Sequence, residues 1–102
     1  MDPSHIIRRA VPRDAEAVAK LAAEAAAEEG VQSALETDRI KAHGFGANAL
    51  FEAWVAQEKG GKDIVAHAVI TKSYDLRRAC PTVVLCELYV RLLSGAAAWR
   101  AR

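Results

Sequence analysis

The chain has few aromatic residues, no long apolar run and almost no net charge, and each shortage excludes a class of protein. Its 102 residues include two Trp, two Tyr and two Phe, and much of the 52% hydrophobic content is alanine. No segment approaches the roughly 20 apolar residues of a membrane-spanning helix. A formal charge of +1 supplies neither the basic field that attracts nucleic acid nor an acidic tail. We expect one small domain, marginally stable alone, with no membrane or nucleic-acid partner.

The cysteine pattern and the N-terminus favour a cytoplasmic protein with reduced thiols. Cys80 and Cys86 are six positions apart, about 20 Å in extended chain, whereas a disulfide needs Cα atoms within about 7 Å. Neither cysteine has metal-ligand spacing to another Cys or to a His. Residues 1–5 lack the basic and then apolar pattern of a signal peptide. We expect no disulfide and no metal site.

Two helices are predicted near the N-terminus. Asp14 is a good N-cap for the first helix, and Gly30 is placed to end it as the residue after the C-cap. The apolar residues between them recur at helical spacing, namely Ala15, Val18, Leu21, Ala22 and Ala25. Ser33 and Glu36 have capping-box spacing for a shorter second helix that runs through about Ala42.

Four strands are predicted around these helices, at residues 5–10, 50–58, 64–72 and 83–90. On the third strand, Ile64, Ala66, Ala68 and Ile70 share one face. Lys59-Gly60-Gly61-Lys62 is typical of a hairpin turn, and residues 74–81 form a connection. The predicted fold class is α+β, in the order strand-helix-helix-strand-strand-strand, with a mostly antiparallel sheet.

The fourth strand is apolar on both faces. Residues 83–90 carry one charged side chain, Glu87, and such a strand normally lies buried inside a sheet under further elements. Residues 91–102 follow, and they predict no strand and at most one short helix. Either a partner covers this strand or the chain is a fragment of something larger.

Several short sequences follow one another in an order that is typical of a known family. They are Ile7-Arg8-Arg9-Ala10 before Asp14, Glu28-Glu29-Gly30, His43-Gly44-Phe45-Gly46-Ala47-Asn48, Ile64-Val65-Ala66-His67-Ala68, Tyr74-Asp75 and Glu87-Leu88-Tyr89-Val90. Together with the element order, they resemble the N-terminal part of the GNAT superfamily of N-acetyltransferases, most closely its diamine acetyltransferase-like branch. The resemblance covers roughly residues 5–91 and implies the first half of an acyl-CoA N-acyltransferase fold.

After its fourth strand that family continues with a loop of pattern Arg/Gln-x-x-Gly-x-Gly/Ala. Its glycines let backbone N–H groups at a helix start bind the pyrophosphate of acetyl-CoA. Here Val90 is followed by Arg91-Leu92-Leu93-Ser94-Gly95, without that loop, and the family's later elements with its usual general-acid tyrosine do not follow. We expect a partial domain at residues 1–91 and a tail outside the family pattern at residues 92–102.

The tail is interpreted as a possible frameshift product. One added base after the codon of Arg91 would let the gene encode Arg-x-x-Gly-x-Ala at the expected place. Out-of-frame reading of a GC-rich gene also yields Ala, Gly and Arg readily. The nucleotide sequence of the gene decides between these explanations.

The resemblance implies the residues of the site. Glu87 is the candidate base that takes a proton from an ammonium substrate. Cys86 occupies the position at which the diamine acetyltransferase-like branch usually carries that base. The backbone groups of Leu88, Tyr89 and Val90 would bind the pantetheine arm of acetyl-CoA. The residues expected on the amine side are Glu28, Glu29 and Tyr74.

Each of these residues also has a structural interpretation. Glu87 would simply face solvent, and Cys86 would be a small core residue without a neighbouring base. Glu28 and Glu29 would be a solvated helix end, and Tyr74 would anchor a loop. The lone histidines, His43 and His67, are expected to be structural.

Two functions stay open. The first is acetyl transfer from acetyl-CoA to a small amine, with Glu87 as base. The second is a non-catalytic remnant or interaction module that forms a homodimer through its exposed last strand or an apolar sheet face. We favour the acetyltransferase family, and we expect this chain to be inactive or impaired because the pyrophosphate-binding loop is missing.

Overall fold

The fold is an antiparallel sheet with two helices packed on one face. The computed structural model describes residues 5–61, 63–91 and 99–101. The strands β1 (His5–Arg9), β2 (Glu52–Glu58), β3 (Ile64–Asp75), β4 (Cys80–Val90) and β5 (Trp99–Ala101) form one sheet in that order. The helices α1 (Ala15–Glu28) and α2 (Thr37–His43) lie between β1 and β2 in the chain. The predicted α+β class, both helices and all four predicted strands are confirmed.

Helix α1 covers the core with the face that its periodicity predicts. Ala15, Val18, Leu21, Ala22 and Ala25 are all buried. Ala15, Val18, Leu21 and Ala25 belong to one core cluster with residues of the sheet that include Ala53, Val55, Ile64, Val69 and Tyr89. Gly30 ends the helix with φ +75°, a conformation that glycine adopts at little cost. The predicted end of α1 is therefore confirmed.

Asp14 is the N-cap residue of α1, as predicted, but its side chain forms no cap, and the predicted capping box at Ser33 is wrong. A short 3-10 turn, Pro12–Asp14, precedes α1, and Asp14 already has φ −84° and ψ −7°, so its side chain does not cap the helix. It bonds backwards instead, to the N–H of Val11 at 2.8 Å and to Arg8. Helix α2 begins only at Thr37 without a side-chain cap, and Ser33 Oγ accepts a hydrogen bond from the N–H of Leu35 at 3.0 Å.

Gly44 ends α2 at a place where no side chain fits. A Cβ atom there would lie 2.8 Å from the carbonyl oxygen of Ile40 and 2.9 Å from the ring of Phe51. Ile40 is fully buried, so its backbone has little freedom to move away. The glycine thus allows the chain to turn from α2 towards β2 against Phe51.

The predicted common face on β3 is wrong at Ile64. Val65 is an extra residue in the ladder between β2 and β3, because Ala56 pairs with Ala66 while Gln57 pairs with Ile64. Ile64 consequently joins the core under α1. By strand alternation, Ala66, Ala68 and Ile70 lie on the opposite face.

Strand β4 is not the buried strand that its composition predicts. The connection before it is shorter than predicted, because β3 and β4 are joined at residues 76–79 and leave only these four outside the strands. Val83, Val84 and Leu85 are 58%, 48% and 49% exposed. Helix α1 packs at the other end of β4, near Tyr89, and therefore does not cover these side chains.

The tail contains a strand that the sequence does not predict. Strand β5 pairs with β4 at Leu88–Val90, so the expectation of no strand after residue 90 is wrong. The expectation of at most one short helix falls on residues 92–98, which lie outside the described residues.

Candidate functional site

A β-bulge at Cys86 determines where Glu87 lies. Val69 pairs with Glu87 while Ile70 pairs with Leu85, so Cys86 is the extra residue of β4. In an uninterrupted ladder Glu87 would pair with Ala68 and lie on the face away from α1. The bulge moves it by one residue, opposite Val69 on the helix-covered face.

There Glu87 forms a hydrogen-bonded pair with His67 of β3, between Oε1 of the carboxyl group and Nε2 of the ring. The side chain of His67 has 0% exposure and that of Glu87 has 33%. The ring's other nitrogen, Nδ1, is buried and has no hydrogen-bond partner among the residues that the structure describes. The pair therefore joins a buried imidazole to a carboxyl group that solvent can reach.

Next to this pair, the end of β4 is tied to α1 by an ionic network. The hydroxyl of Tyr89 lies 3.2 Å from Glu28 Oε2 and 3.4 Å from Glu24 Oε1. Arg91 donates to both oxygens of Glu24, at 2.9 Å from Nε and 2.6 Å from Nη2. Burial and the contact with Glu28 raise the pKa of Tyr89 to about 12. The hydrogen bond from Arg91 lowers the pKa of Glu24 below its ordinary value.

The predicted amine-side residues lie in different places along the sheet and α1. Glu28 contacts Tyr89, two residues from Glu87 along β4. Glu29 is the C-cap of α1, and its N–H bonds to the carbonyl of Ala26 at 3.0 Å. Tyr74 is 53% exposed and lies five residues beyond Val69 on β3, roughly 17 Å along the strand. Of the three predicted amine-side residues, Glu28 thus contacts the strand that carries Glu87, and Tyr74 lies apart from this end of the sheet.

Cys86 is exposed, so its expected place in the core is wrong. The bulge leaves it outside the ladder, and its Sγ lies 3.5 Å from Thr71 Oγ1 and 3.7 Å from the carbonyl oxygen of Val84. Neither neighbour is a base that would activate a thiol. Cys80 and Cys86 are both free cysteines in this structure. Within the described residues, no group of three or more His, Cys, Asp or Glu is placed to hold a metal ion.

The backbone expected to bind acetyl-CoA is already paired on both sides. Leu88, Tyr89 and Val90 pair with Ala68, His67 and Ala66 of β3. On their other side they pair with residues 99–101 of β5. A pantetheine arm that adds to the sheet like a strand needs a free edge. With β5 in place, these residues do not fit that group.

A separate cleft of about 710 Å³ lies between α1 and the segment that leads into α2. Its lining includes three carboxylates and one amine; the residues are Glu16, Ala19, Lys20, Ala23, Ser33, Leu35, Glu36, Thr37 and Asp38. None of the predicted site residues lines it. The Glu87 site and this cleft are therefore distinct.

Comparison with known proteins does not identify the chain: no model of a protein family matches it, and neither does any curated protein. Among the residues that the structure describes, none of the helices is long and apolar enough to cross a membrane.

His67 is the residue that the sequence interpretation missed. Its partner becomes visible only once the extra residue at Cys86 is known, since a regular ladder would place Glu87 on the opposite face.

Proposed function

We propose that the chain carries the amine-accepting part of an N-acetyltransferase site of the GNAT superfamily, and that this 102-residue chain is itself impaired in acetyl transfer. The observation that carries the proposal is the Glu87 carboxyl group, partly exposed and hydrogen-bonded to a buried histidine. β-Bulges are frequent next to active sites, where they re-aim a side chain. The strand-helix-helix-strand-strand-strand order is also the order that the family resemblance implies.

The chemistry assigned to Glu87 is proton removal from a small primary ammonium ion. The nitrogen–hydrogen bond breaks, an oxygen–hydrogen bond forms on the carboxylate, and the electron pair stays on nitrogen. The neutral amine is then a nucleophile, which an ammonium ion is not. Glu28, at the end of α1 beside Tyr89, adds negative charge that attracts the cation to this end of the sheet.

Acetyl transfer is impaired because β5 occupies the strand edge on which the acetyl donor would bind. Pairing on both sides of Leu88–Val90 leaves that backbone without free donors and acceptors for a further strand-like ligand. Amine recognition does not need this edge, since the carboxyl group of Glu87 projects from the face of the sheet.

Calorimetric titration with acetyl-CoA tests the impairment. We expect no binding in the micromolar range, and no release of free CoA above background when butane-1,4-diamine is added. Micromolar affinity together with CoA release would show that the chain is an active enzyme. If Glu87→Gln then removed the release, the impairment would be wrong while the role of Glu87 as base would stand.

A second candidate function is self-association as a non-catalytic module. The observation that favours it is the outer edge of β4. Val83, Val84 and Leu85 are exposed there, and β5 pairs only with Leu88–Val90. An apolar strand edge of this kind is a template for pairing with another strand.

A further inference from the structure

The hydrogen bonds available to the buried histidine beside Glu87 favour one position for its ring proton. If the imidazole were charged, Nδ1 would carry a proton inside the protein without an acceptor among the described residues, and leaving a buried donor unsatisfied is unfavourable. Placing the single proton of the neutral ring on Nδ1 would leave the same unsatisfied donor. The neutral ring with its proton on Nε2 avoids this, because it donates to Glu87 and leaves only a lone pair unmatched.

In this arrangement the carboxyl group of Glu87 accepts the hydrogen bond and is fixed in direction. A ring that donates from Nε2 requires an acceptor, which the carboxylate provides at Oε1. The two residues lie diagonally across the ladder, since His67 pairs with Tyr89 and Glu87 pairs with Val69. His67 is held rigidly because it is completely buried, so the hydrogen bond selects one orientation of a partly exposed glutamate.

We infer that His67 is a positioning residue that holds the Glu87 carboxylate towards solvent as the acceptor of a primary ammonium group. The inference rests on the proposed function for the choice of an amine as ligand. His67 does not exchange protons with the ligand, because its ring has no exposure. Oε1 is engaged by the ring, and Oε2 remains for the ammonium ion, which has three donors to offer.

Magnetic resonance of the folded chain with isotope-labelled histidine and glutamate tests the first step. At neutral pH we expect the ring nitrogens of His67 to show the neutral form with the proton on Nε2, and Glu87→Gln to shift the Nε2 signal. A charged ring, or a proton on Nδ1, would overturn the inference. The tautomer itself is measured on the unmodified chain, and no ligand is required.

Titration with butylammonium, followed at the carboxyl carbon of Glu87, tests the second step. We expect a saturable shift in the wild-type chain and in His67→Gln, whose side-chain amide restores a donor near the position of Nε2. We expect His67→Leu to weaken binding about tenfold, as the loss of one orienting hydrogen bond would. Glu36→Gln, which removes an exposed carboxylate elsewhere, is the control and should bind like the wild type. Thermal unfolding establishes that each variant is folded.

The outcomes separate the inference from the proposed function. If butylammonium binds the wild type and His67→Leu equally well, His67 is only structural and the inference is wrong, while the amine site stands. If butylammonium causes no saturable shift in the wild type although the proton lies on Nε2, the amine site of the proposed function is wrong. Should His67→Leu not fold, the tautomer measurement still decides the question, since a charged ring or a proton on Nδ1 contradicts the inference directly.

Discussion

At the scale of single residues, Asp14 links three parts of the chain. Its carboxylate accepts hydrogen bonds from Arg8 Nη1 at 2.7 Å and Nη2 at 3.0 Å, and from the N–H of Val11 at 2.8 Å. Asp14 is buried, so these contacts fix β1 and the turn against the start of α1. The hydrogen bonds from Arg8, helped by Val11, lower the pKa of Asp14 below its ordinary value of 3.8.

We predict that Asp14→Asn lowers the free energy of unfolding by about 2 kcal/mol at neutral pH, because hydrogen bonds to a charged group are lost. A lowered pKa contributes stability that is complete above the unfolded-state value, near 4, and is lost as the pH falls through the folded-state value. The difference between wild type and variant should therefore shrink in acid. Urea unfolding at neutral pH and at about pH 3 measures both effects.

The matched control for this prediction is Asp63→Asn, which makes the same chemical change at an exposed position and should change stability by less than about 0.5 kcal/mol. Arg8→Gln combined with Asp14→Asn should cost less than the sum of the single changes, since both remove one ion pair. Additive losses would show that Asp14 acts without Arg8.

At the scale of elements, the attachment of α1 to the end of β4 depends on Tyr89. Its ring belongs to the core under α1, while its hydroxyl lies against Glu28 and Glu24 at the helix surface. Burial and the neighbouring carboxylates favour the neutral phenol, which is why its pKa rises from 10.0 to about 12. The proton on Tyr89 thus stabilises the contact between the two elements.

We predict that Tyr89→Phe lowers the free energy of unfolding by about 1 kcal/mol at pH 8, the usual net contribution of a hydrogen bond. A raised pKa contributes stability that is complete below the unfolded-state value and is lost as the pH rises through the folded-state value. Here that interval runs from about pH 10 to about pH 12. Urea unfolding across it should show a loss in the wild type that Tyr89→Phe lacks.

Tyr74→Phe is the control, because Tyr74 is 53% exposed on the same pair of strands. It should leave the alkaline behaviour of the wild type unchanged. Equal alkaline losses in the wild type and in Tyr89→Phe would contradict the assignment to Tyr89.

The elements also show which parts of this fold the sequence can predict. Helix α1 follows from its apolar period and from Gly30, and the turn between β2 and β3 follows from Gly60, which has φ +80°. These are local signals. The bulge at Cys86 is different, because β4 is apolar at nearly every position and its pattern does not determine which residues face α1. The pairing of Glu87 with His67 depends on that bulge, so the central contact of the site could not be predicted.

The tail illustrates a second limit. Strand β5 has three residues, too few to show a period of two, and it is defined by its pairing with β4. The expectation that Leu88–Val90 offer free backbone groups failed for the same reason. Local sequence does not reveal which strand edge a short distant segment occupies.

At the scale of the whole molecule, the sheet has an exposed edge that favours self-association. Within the described residues, no strand pairs with the outer side of β4 from Cys80 to Glu87. Proteins usually protect such an edge with lysine, proline or a covering element, but here only Pro81 and Glu87 flank the exposed residues Val83, Val84 and Leu85. A second copy can add to this edge antiparallel about Val84, so that the apolar residues of the two copies cover each other.

We therefore predict that the chain is a dimer in sedimentation equilibrium at micromolar concentrations. Val84→Lys should make it monomeric, because a charge on the edge strand opposes pairing with the identical charge of a second copy.

Val31→Lys is the matched control, since Val31 is equally apolar and 58% exposed but follows α1, far from β4 in the chain. It should leave the dimer intact. Unfolding measured well below the dissociation concentration should differ by less than about 0.5 kcal/mol between the two variants, as expected for surface changes. A wild-type chain that sediments as a monomer contradicts self-association, and a dimer that survives Val84→Lys places the interface elsewhere than at the edge of β4.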